Sequence, residues 1–385
     1  MISHAEVEKL LSIQAVDGAV LSAYVEVPLD RPAQRGLPAR VSELLALSGG
    51  GTDSPGALRA RDEDERTVRH LLEAHARDWL GHTVAIFVSS QLGLLQSFAL
   101  PCRLPERVVL AARPHVRPLL VALQRCPAYH VAVVDRRHAW IFSVAAERVG
   151  VAAGPVAGGV RSPRFGGWYG LEAHRVHERI IQLERHHYRD TAAILGQAMR
   201  AGEPEPLVVG GHQEAIPHFL AMLPADLRDR LAGSFVIDPH TMTPARVREL
   251  SGAVIENWLN RREQRLATEL RRQPPDGRTV TGLNSCLTAV GQHAVQLLVV
   301  PVGGLIPGFM CTRCGTLTST PGECGHGPAS AHQVPDLIEE MVIKALRDGA
   351  EVTALPDPPG DIAARLRFPL AQPQPQSSAG QPASK

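Results

Sequence analysis

Short stretches in which apolar and polar residues alternate with a period of two are interleaved along this chain with longer stretches of helical period. Strict alternation marks half-buried strands, and spacing near 3.6 marks one-sided helices. Residues 19–27 predict a strand with Leu21, Ala23, Val25 and Val27 on one face. Residues 32–56 are rich in Gly, Pro and Ser and predict a loop. The acidic run Asp62-Glu63-Asp64-Glu65 opens a helix, because negative side chains favour a helix N-terminus, and Val68, Leu71, Leu72, His75 and Leu80 supply its apolar stripe. Residues 83–89 and 94–100 predict two strands joined around Gln91-Leu92-Gly93, a hairpin signal.

A second segment starts near Tyr129. Residues 131–134 and 139–142 flank the polar turn Asp135-Arg136-Arg137-His138 and predict a β-hairpin. A glycine-rich stretch over 154–170 follows, then a long helix over 171–199, a short buried strand at 207–209, a helix over 212–223 and a strand at 235–237. Such alternation implies an α/β layer with partly parallel strands. Residues 243–272 predict one long polar connector helix. A third segment holds a helix (281–290), a strand (295–300), a cysteine-bearing insertion (310–326), a helix (334–347) and a strand (351–355), which is a βαβ-like layer. Beyond Ala371 the Gln-Pro repeats predict disorder, since such a composition cannot bury a core.

Composition narrows the class. Aromatic residues are only 4% of the chain, so the cores must be aliphatic. A formal net charge of +1 excludes a histone-like protein and leaves room for a local basic surface. No run of about 18 apolar residues occurs, which predicts no transmembrane helix, and the first residues lack the basic and apolar regions of a secretory signal. A cytoplasmic location and no membrane partner are expected. No phosphate-binding loop, dinucleotide fingerprint or nucleophile elbow appears.

Of six cysteines, three cluster near the C-terminus. Cys311-Thr312-Arg313-Cys314 is a CxxC knuckle, and Cys324-Gly325-His326 follows. Three thiolates and an imidazole complete a tetrahedral zinc shell with no open position, which predicts one structural Zn2+ on Cys311, Cys314, Cys324 and His326. His332 is an alternative fourth ligand, and three reduced thiols in a hairpin are the metal-free alternative. Gly315 and Gly322 allow tight turns beside the metal. Cys102, Cys126 and Cys286 sit in apolar or mixed surroundings and read as core thiols.

The glycine-rich stretch carries Arg161, Arg164, Trp168 and Tyr169, and the helix after it adds Arg175, Arg179, Arg185 and Arg189. Flexible backbone, cations and stackable rings suit irregular or single-stranded RNA. A solvated, salt-bridged helix behind a surface loop is the alternative.

Three stretches together resemble the archaeo-eukaryotic class-one peptide-chain release factors and their bacterial relatives, a group that includes Balon-like ribosome hibernation factors. One is Tyr129-His130-Val131-Ala132-Val133-Val134-Asp135 through Ala139-Trp140-Ile141-Phe142. Another is Gly158-Gly159 with Arg164-Phe165 and the basic helix from Leu171. The last is Val280-Thr281-Gly282-Leu283 with Gln296-Leu297-Leu298-Val299-Val300 and the cysteine knuckle. The resemblance spans roughly residues 10–356. It implies a mixed α/β, three-domain architecture with a zinc knuckle in the last domain. The expected limits are 1–126 (N-terminal, decoding-region-like), 127–255 (middle, with the glycine-rich loop), 256–356 (C-terminal, ribosomal-protein-like, with the zinc insertion) and a disordered tail, 357–385.

The family's release motif is Gly-Gly-Gln, whereas here Gly158-Gly159 is followed by Val160, which has a backbone N–H and no side-chain amide. Gly210-Gly211-His212-Gln213 follows a buried strand and reads as the turn into the next helix. The resemblance therefore implies a translation factor that binds rRNA at the ribosomal A site, of hibernation or rescue type. Gly158, Gly159, Val160, Arg161, Arg164, Trp168 and Arg175 would lie towards the peptidyl-transferase centre. No catalytic residue is assigned and no DNA partner is implied. The C-terminal domain would meet a translational GTPase such as EF-Tu, or the ribosomal stalk base. The alternatives are a peptidyl-tRNA hydrolase acting on stalled ribosomes, and a zinc-containing RNA- or protein-binding protein without a ribosomal role.

Overall fold

The computed structural model of the chain describes residues 3–15, 19–47, 55–100, 102–145, 148–157, 171–200, 205–272 and 277–370. The first segment runs α1 (His4–Leu11), β1 (Val20–Glu26), α2 (Arg31–Arg35), α3 (Leu37–Leu47), α4 (Pro55–His75), β2 (Thr83–Ser89), β3 (Leu94–Leu100), β4 (Arg107–Ala111) and α5 (Arg117–Arg125). Its four strands form an antiparallel sheet in the order β3-β2-β1-β4. Leu21, Ala23, Val25 and Val27 share one core with Leu37, Val41 and Leu45 of α3 and Val68 and Leu72 of α4. Tyr24, Ala85 and Phe87 face the other way into a second core, so β2 is buried along its whole length.

Residues 32–47 and 55–56 are helical, not loop. Prolines are tolerated in the first turn of a helix: Asp30 caps α2 by accepting the Ala33 N–H at 3.0 Å, and Pro32 sits just inside. Leu37, Val41 and Leu45, four residues apart, make α3 amphipathic. The acidic run lies inside α4, which begins at Pro55. Asp64 is buried there and accepts the Ser90 N–H at 2.6 Å, and burial raises its carboxyl above the ordinary value. His75 and Leu80, read as part of the stripe, are exposed.

The middle segment contains β5 (Tyr129–Val134), β6 (His138–Ala145), β7 (Arg148–Ala157), α6 (Leu171–Ala198), β8 (Leu207–Gly211), α7 (Ala215–Met222), α8 (Ala225–Arg228), β9 (Leu231–Val236) and α9 (Pro244–Arg271). The sheet order is β7-β6-β5-β8-β9. β5, β8 and β9 are parallel, and β6 and β7 extend the sheet as an antiparallel meander. α6 and α7 cover one face through Tyr188, Leu195 and Phe219. α9, capped by Thr243, covers the other through Val247, Ile255 and Leu259. The glycine-rich stretch begins later than its composition suggests, because Gly154 lies in β7 at φ 145°. A Cβ there would come within 3.2 Å of the Trp140 Cα.

The last segment holds β10 (Thr279–Thr281), α10 (Leu283–Gly291), β11 (Val295–Pro301), β12 (Gly308–Cys311), β13 (Leu317–Thr318), β14 (Ala331–Val334), α11 (Leu337–Arg347), β15 (Glu351–Leu355) and β16 (Ala363–Leu366). β11 and β15 pair in parallel across α11, as a βαβ unit should. β16, beyond the expected domain limit at 356, inserts between β10 and β11 with Ala363, Ala364 and Leu366 buried. The layer therefore ends at Leu366, because its central strand is the last one in sequence. The tail from Ala371 lies outside the described residues. α9 also reaches this sheet, where Ala267 and Leu270 pack on Leu297, Val299 and Leu355. One helix thus serves two sheets, as a connector must. The first and last segments share one continuous core, from Leu10, Tyr24 and Leu119 to Cys286, Leu298 and Met341.

Candidate functional site

The cysteine insertion folds as a small antiparallel sheet, β13-β12-β14. Cys311 ends β12; its N–H donates to Thr316 O at 2.9 Å and its carbonyl accepts the Gly315 N–H at 2.8 Å, which forms the knuckle. Gly315 (φ 68°) and Gly322 (φ 91°) adopt the left-handed backbone these turns require. Lys344 of α11 donates to Gly315 O at 2.6 Å and fastens the knuckle to the core. The ligand atoms of Cys311, Cys314, Cys324 and His326 all lie within 4.8 Å of one another. His326 Nδ1 is 3.7 Å from both Cys311 Sγ and Cys324 Sγ. Tetrahedral bond lengths of ~2.3 Å to sulfur and ~2.0 Å to nitrogen put S and N about 3.5 Å apart, so the donor set fits a metal ion. The Thr316 hydroxyl, 3.1 Å from Cys314 Sγ, and the Thr316 backbone pull that exposed thiol down to about 6, towards the thiolate a metal binds. His332 is exposed on β14 opposite Met310 and is not part of the cluster.

Of the glycine-rich loop, Gly158, Gly159, Val160, Arg161, Arg164 and Trp168 lie outside the described residues, and Arg175 is placed only as a position in the first turns of α6. The loop's base is described. Ala157, the last residue of β7, pairs with His138, so β7 ends beside the turn at 135–138. Asp135 is buried there, and one of its oxygens accepts the N–H groups of Arg137 (2.5 Å) and His138 (2.6 Å). Its other oxygen is 3.4 Å from His240 Nε2 and 3.7 Å from His138 Nδ1. His187 of α6 is buried within electrostatic reach of Asp135 and His138, and burial lowers its pKa and keeps the ring neutral. Across the strand ends, His212 Nε2 lies 3.8 Å from Asp238 Oδ1. These groups follow β5, β8 and β9 at the carboxyl end of the parallel strands, where open α/β sheets present ligand sites. The exposed imidazole of His240 is thereby held against a buried carboxylate at this end of the sheet. Sequence reading saw only a polar turn at 135–138, because His187 and His240 reach it by tertiary packing. The second glycine pair is structural: Gly210 and Gly211 belong to β8, and a Cβ on Gly211 would meet Val134 O at 2.2 Å.

Residues 114–261 match the sequence model of bacterial archaeo-eukaryotic release factor family 10. Over that segment the chain resembles the bacterial archaeo-eukaryotic release factors. Among solved structures the chain is similar to an archaeal translation termination factor, aRF1, at 16% identity over 94% of this chain and 96% of that chain, with a TM-score of 0.26. It is similar to Archaeoglobus fulgidus Pelota at 12% identity over 75% and 80% of the two chains, TM-score 0.35. A third likeness is to S. cerevisiae Dom34, a translation termination-like factor, at 10% identity over 77% and 82%, TM-score 0.43. No curated protein matches the chain. The family match is confined to this segment, which contains the hairpin β5–β6, the glycine-rich stretch and α6.

α6 changes character along its length. Among its described residues, Arg179, Arg185, His186 and Arg189 are exposed, and the first fully buried one is His187. Between positions 179 and 189 the solvent side of the helix therefore presents cations. A second convergent group, His115, Asp336 and Glu339, ties the first segment to the last. Asp336 Oδ2 receives Arg117 Nη2 at 2.9 Å and lies 3.2 Å from His115 Nε2. Its Oδ1 accepts the Ile306 and Ile338 N–H groups, both at 3.2 Å. Glu339 accepts the Val116 and Arg117 N–H groups at 2.6 and 3.0 Å. These oxygens are already occupied by donors, and the Arg117 guanidinium holds the position a cation would take. This group is a buried ion network that joins two segments. Among the described residues no helix is long and apolar enough to cross a membrane.

Proposed function

We propose that this protein is a translation factor that binds the ribosomal A site, of the hibernation or rescue type, acting by occupancy and without release chemistry. The observation that carries the reading is a release-factor match over residues 114–261 whose loop reads Gly158-Gly159-Val160, where the family motif has Gly-Gly-Gln. A β-branched hydrocarbon in place of a carboxamide provides no side-chain donor or acceptor to place water. The exposed cations of α6 support rRNA contact, since phosphate neutralisation supplies most non-specific affinity for nucleic acid. In this reading Gly158, Gly159, Val160, Arg161, Arg164, Trp168 and Arg175 approach the peptidyl-transferase centre, and the first segment occupies the decoding region. The last segment meets a translational GTPase such as EF-Tu. Cys311, Cys314, Cys324 and His326 hold one structural Zn2+, which secures the hairpin they fold. The domain limits proposed are 1–126, 127–255 and 256–366, the last revised by β16.

A second reading, hydrolysis of peptidyl-tRNA on stalled ribosomes, draws on the Asp135–His240 pair at the loop's base. The two separate on binding and turnover. Purified protein is pelleted with vacant 70S ribosomes, with and without an A-site-bound tRNA. Binding that the tRNA displaces supports A-site occupancy; binding indifferent to the tRNA, or none, removes it. The hydrolase reading requires peptide release that is lost in His240→Ala while ribosome binding persists.

A further inference from the structure

Cys102 and Cys126 do not behave as core thiols. Cys286 does: it is fully buried and burial pushes its thiol up to about 12. Cys102, just after β3, and Cys126, which caps α5, are both partly exposed. They line the same cleft of about 570 Å³, whose opposite wall is α9 with Arg248, Gly252, Ile255 and Glu256. Each thiol is the largest influence on the other's protonation, and the Arg125 charge acts on both.

We propose that Cys102 and Cys126 form a modification site, a thiol pair that closes reversibly into a disulfide when a peroxide enters the cleft. The asymmetry of the pair suits this chemistry. Cys126 and the Arg125 charge lower the Cys102 thiol below its ordinary value against the pull of burial, whereas Cys102 and burial keep Cys126 protonated. An accessible, low-pKa cysteine next to a resolving thiol is the arrangement that redox-sensitive sites use. The Cys102 thiolate attacks one oxygen of hydrogen peroxide. The O–O bond breaks, hydroxide leaves and takes up a proton as water, and Cys102 becomes a sulfenic acid. Cys126 then attacks the Cys102 sulfur, the S–S bond forms, the S–O bond breaks and a second water leaves with the Cys126 proton. The balance is two thiols and one peroxide to one disulfide and two waters, and a dithiol reverses it by exchange. The bridge fastens the β3–β4 connection to the residue before Pro127, where the chain passes into the middle segment. The inference does not depend on the ribosomal reading.

The test uses the full, metal-loaded chain treated with equimolar hydrogen peroxide, alkylated, and digested without reduction. The expected product is a peptide pair joining Cys102 to Cys126, lighter by about 2 Da than the two thiols, which dithiothreitol removes. In Cys126→Ser the Cys102 sulfenic acid should persist and be trapped by dimedone, and Cys102→Ser should leave Cys126 unoxidised. Full alkylation of both residues after peroxide would overturn the proposal. So would sulfinic acid on Cys102 without the cross-link, or oxidation confined to Cys311, Cys314 and Cys324.

Discussion

The imidazole Nε2 of His115 lies 3.2 Å from Asp336 Oδ2, with both side chains buried and 221 positions apart in sequence. Arg117 completes the contact and is itself fully buried. Removing one partner of such a set leaves a charge without compensation, which typically costs ~3–5 kcal/mol. Asp336→Asn should therefore lower stability to urea by roughly that amount. The additional loss of Arg117 in the double variant Arg117→Met, Asp336→Asn should cost far less than in the wild-type background. Additive losses in that cycle would show that the two residues do not act together.

The same carboxyl sets an acid limit. Burial alone would raise Asp336, but the hydrogen bond from His115 and the Arg117 charge outweigh it and hold the group below its ordinary value. A depressed folded pKa contributes stability that is complete above the unfolded value of ~3.9 and is lost as pH falls through the folded value. Urea midpoints measured between about pH 5 and pH 2 should fall on the acid side, and less steeply in Asp336→Asn. Identical slopes in the two proteins would place the acid sensitivity elsewhere.

Four converging soft ligands predict about one zinc per chain after purification without added metal. Cys311→Ser and Cys324→Ser should each lose the metal and expose the hairpin to proteolysis, and His332→Ala should retain it. Wild-type protein carrying less than about half an equivalent would exclude a structural zinc.

At Gly211, φ is 151° and a Cβ would lie 2.2 Å from Val134 O. Backbone on both sides leaves nothing to yield, so Gly211→Ala should cost more than ~2 kcal/mol through strain and overpacking. Gly93→Ala, at an open hairpin tip, should cost about 1 kcal/mol or less. Thermal melts of the two variants distinguish these outcomes, and equal melting points would remove the packing role assigned to Gly211.

What the sequence makes legible is local. The hairpin of β2 and β3 is bounded to the residue, because the alternation and the Gln91-Leu92-Gly93 turn sit next to each other in the chain. The cysteine cluster is legible for the same reason, its four ligands lying within one short insertion. Residues 32–47 mislead because Pro32 and Pro38 occupy first turns, where proline starts helices rather than breaking them. β16 is missed because its short apolar run follows a proline-rich turn, and only pairing with β10 and β11 makes it a central strand. Arg117, one of the most deeply buried side chains, carries no signal in sequence, since its partner is Asp336, the residue that caps α11. The histidines around Asp135 come from three elements and share no spacing. The assigned loop residues from Gly158 to Trp168 lie outside the described residues, so their role stands on the family match and the sequence.

Occupancy without chemistry is tested most directly by pelleting the protein with ribosomes loaded with peptidyl-tRNA in the P site and scoring bound protein and released peptide in the same tubes. Stable co-sedimentation with peptide release no greater than in buffer, and weakened binding in Arg164→Ala with Arg175→Ala, is the result predicted here. Release above buffer that Gly159→Trp abolishes while binding persists would contradict it and make the loop from Gly158 catalytic.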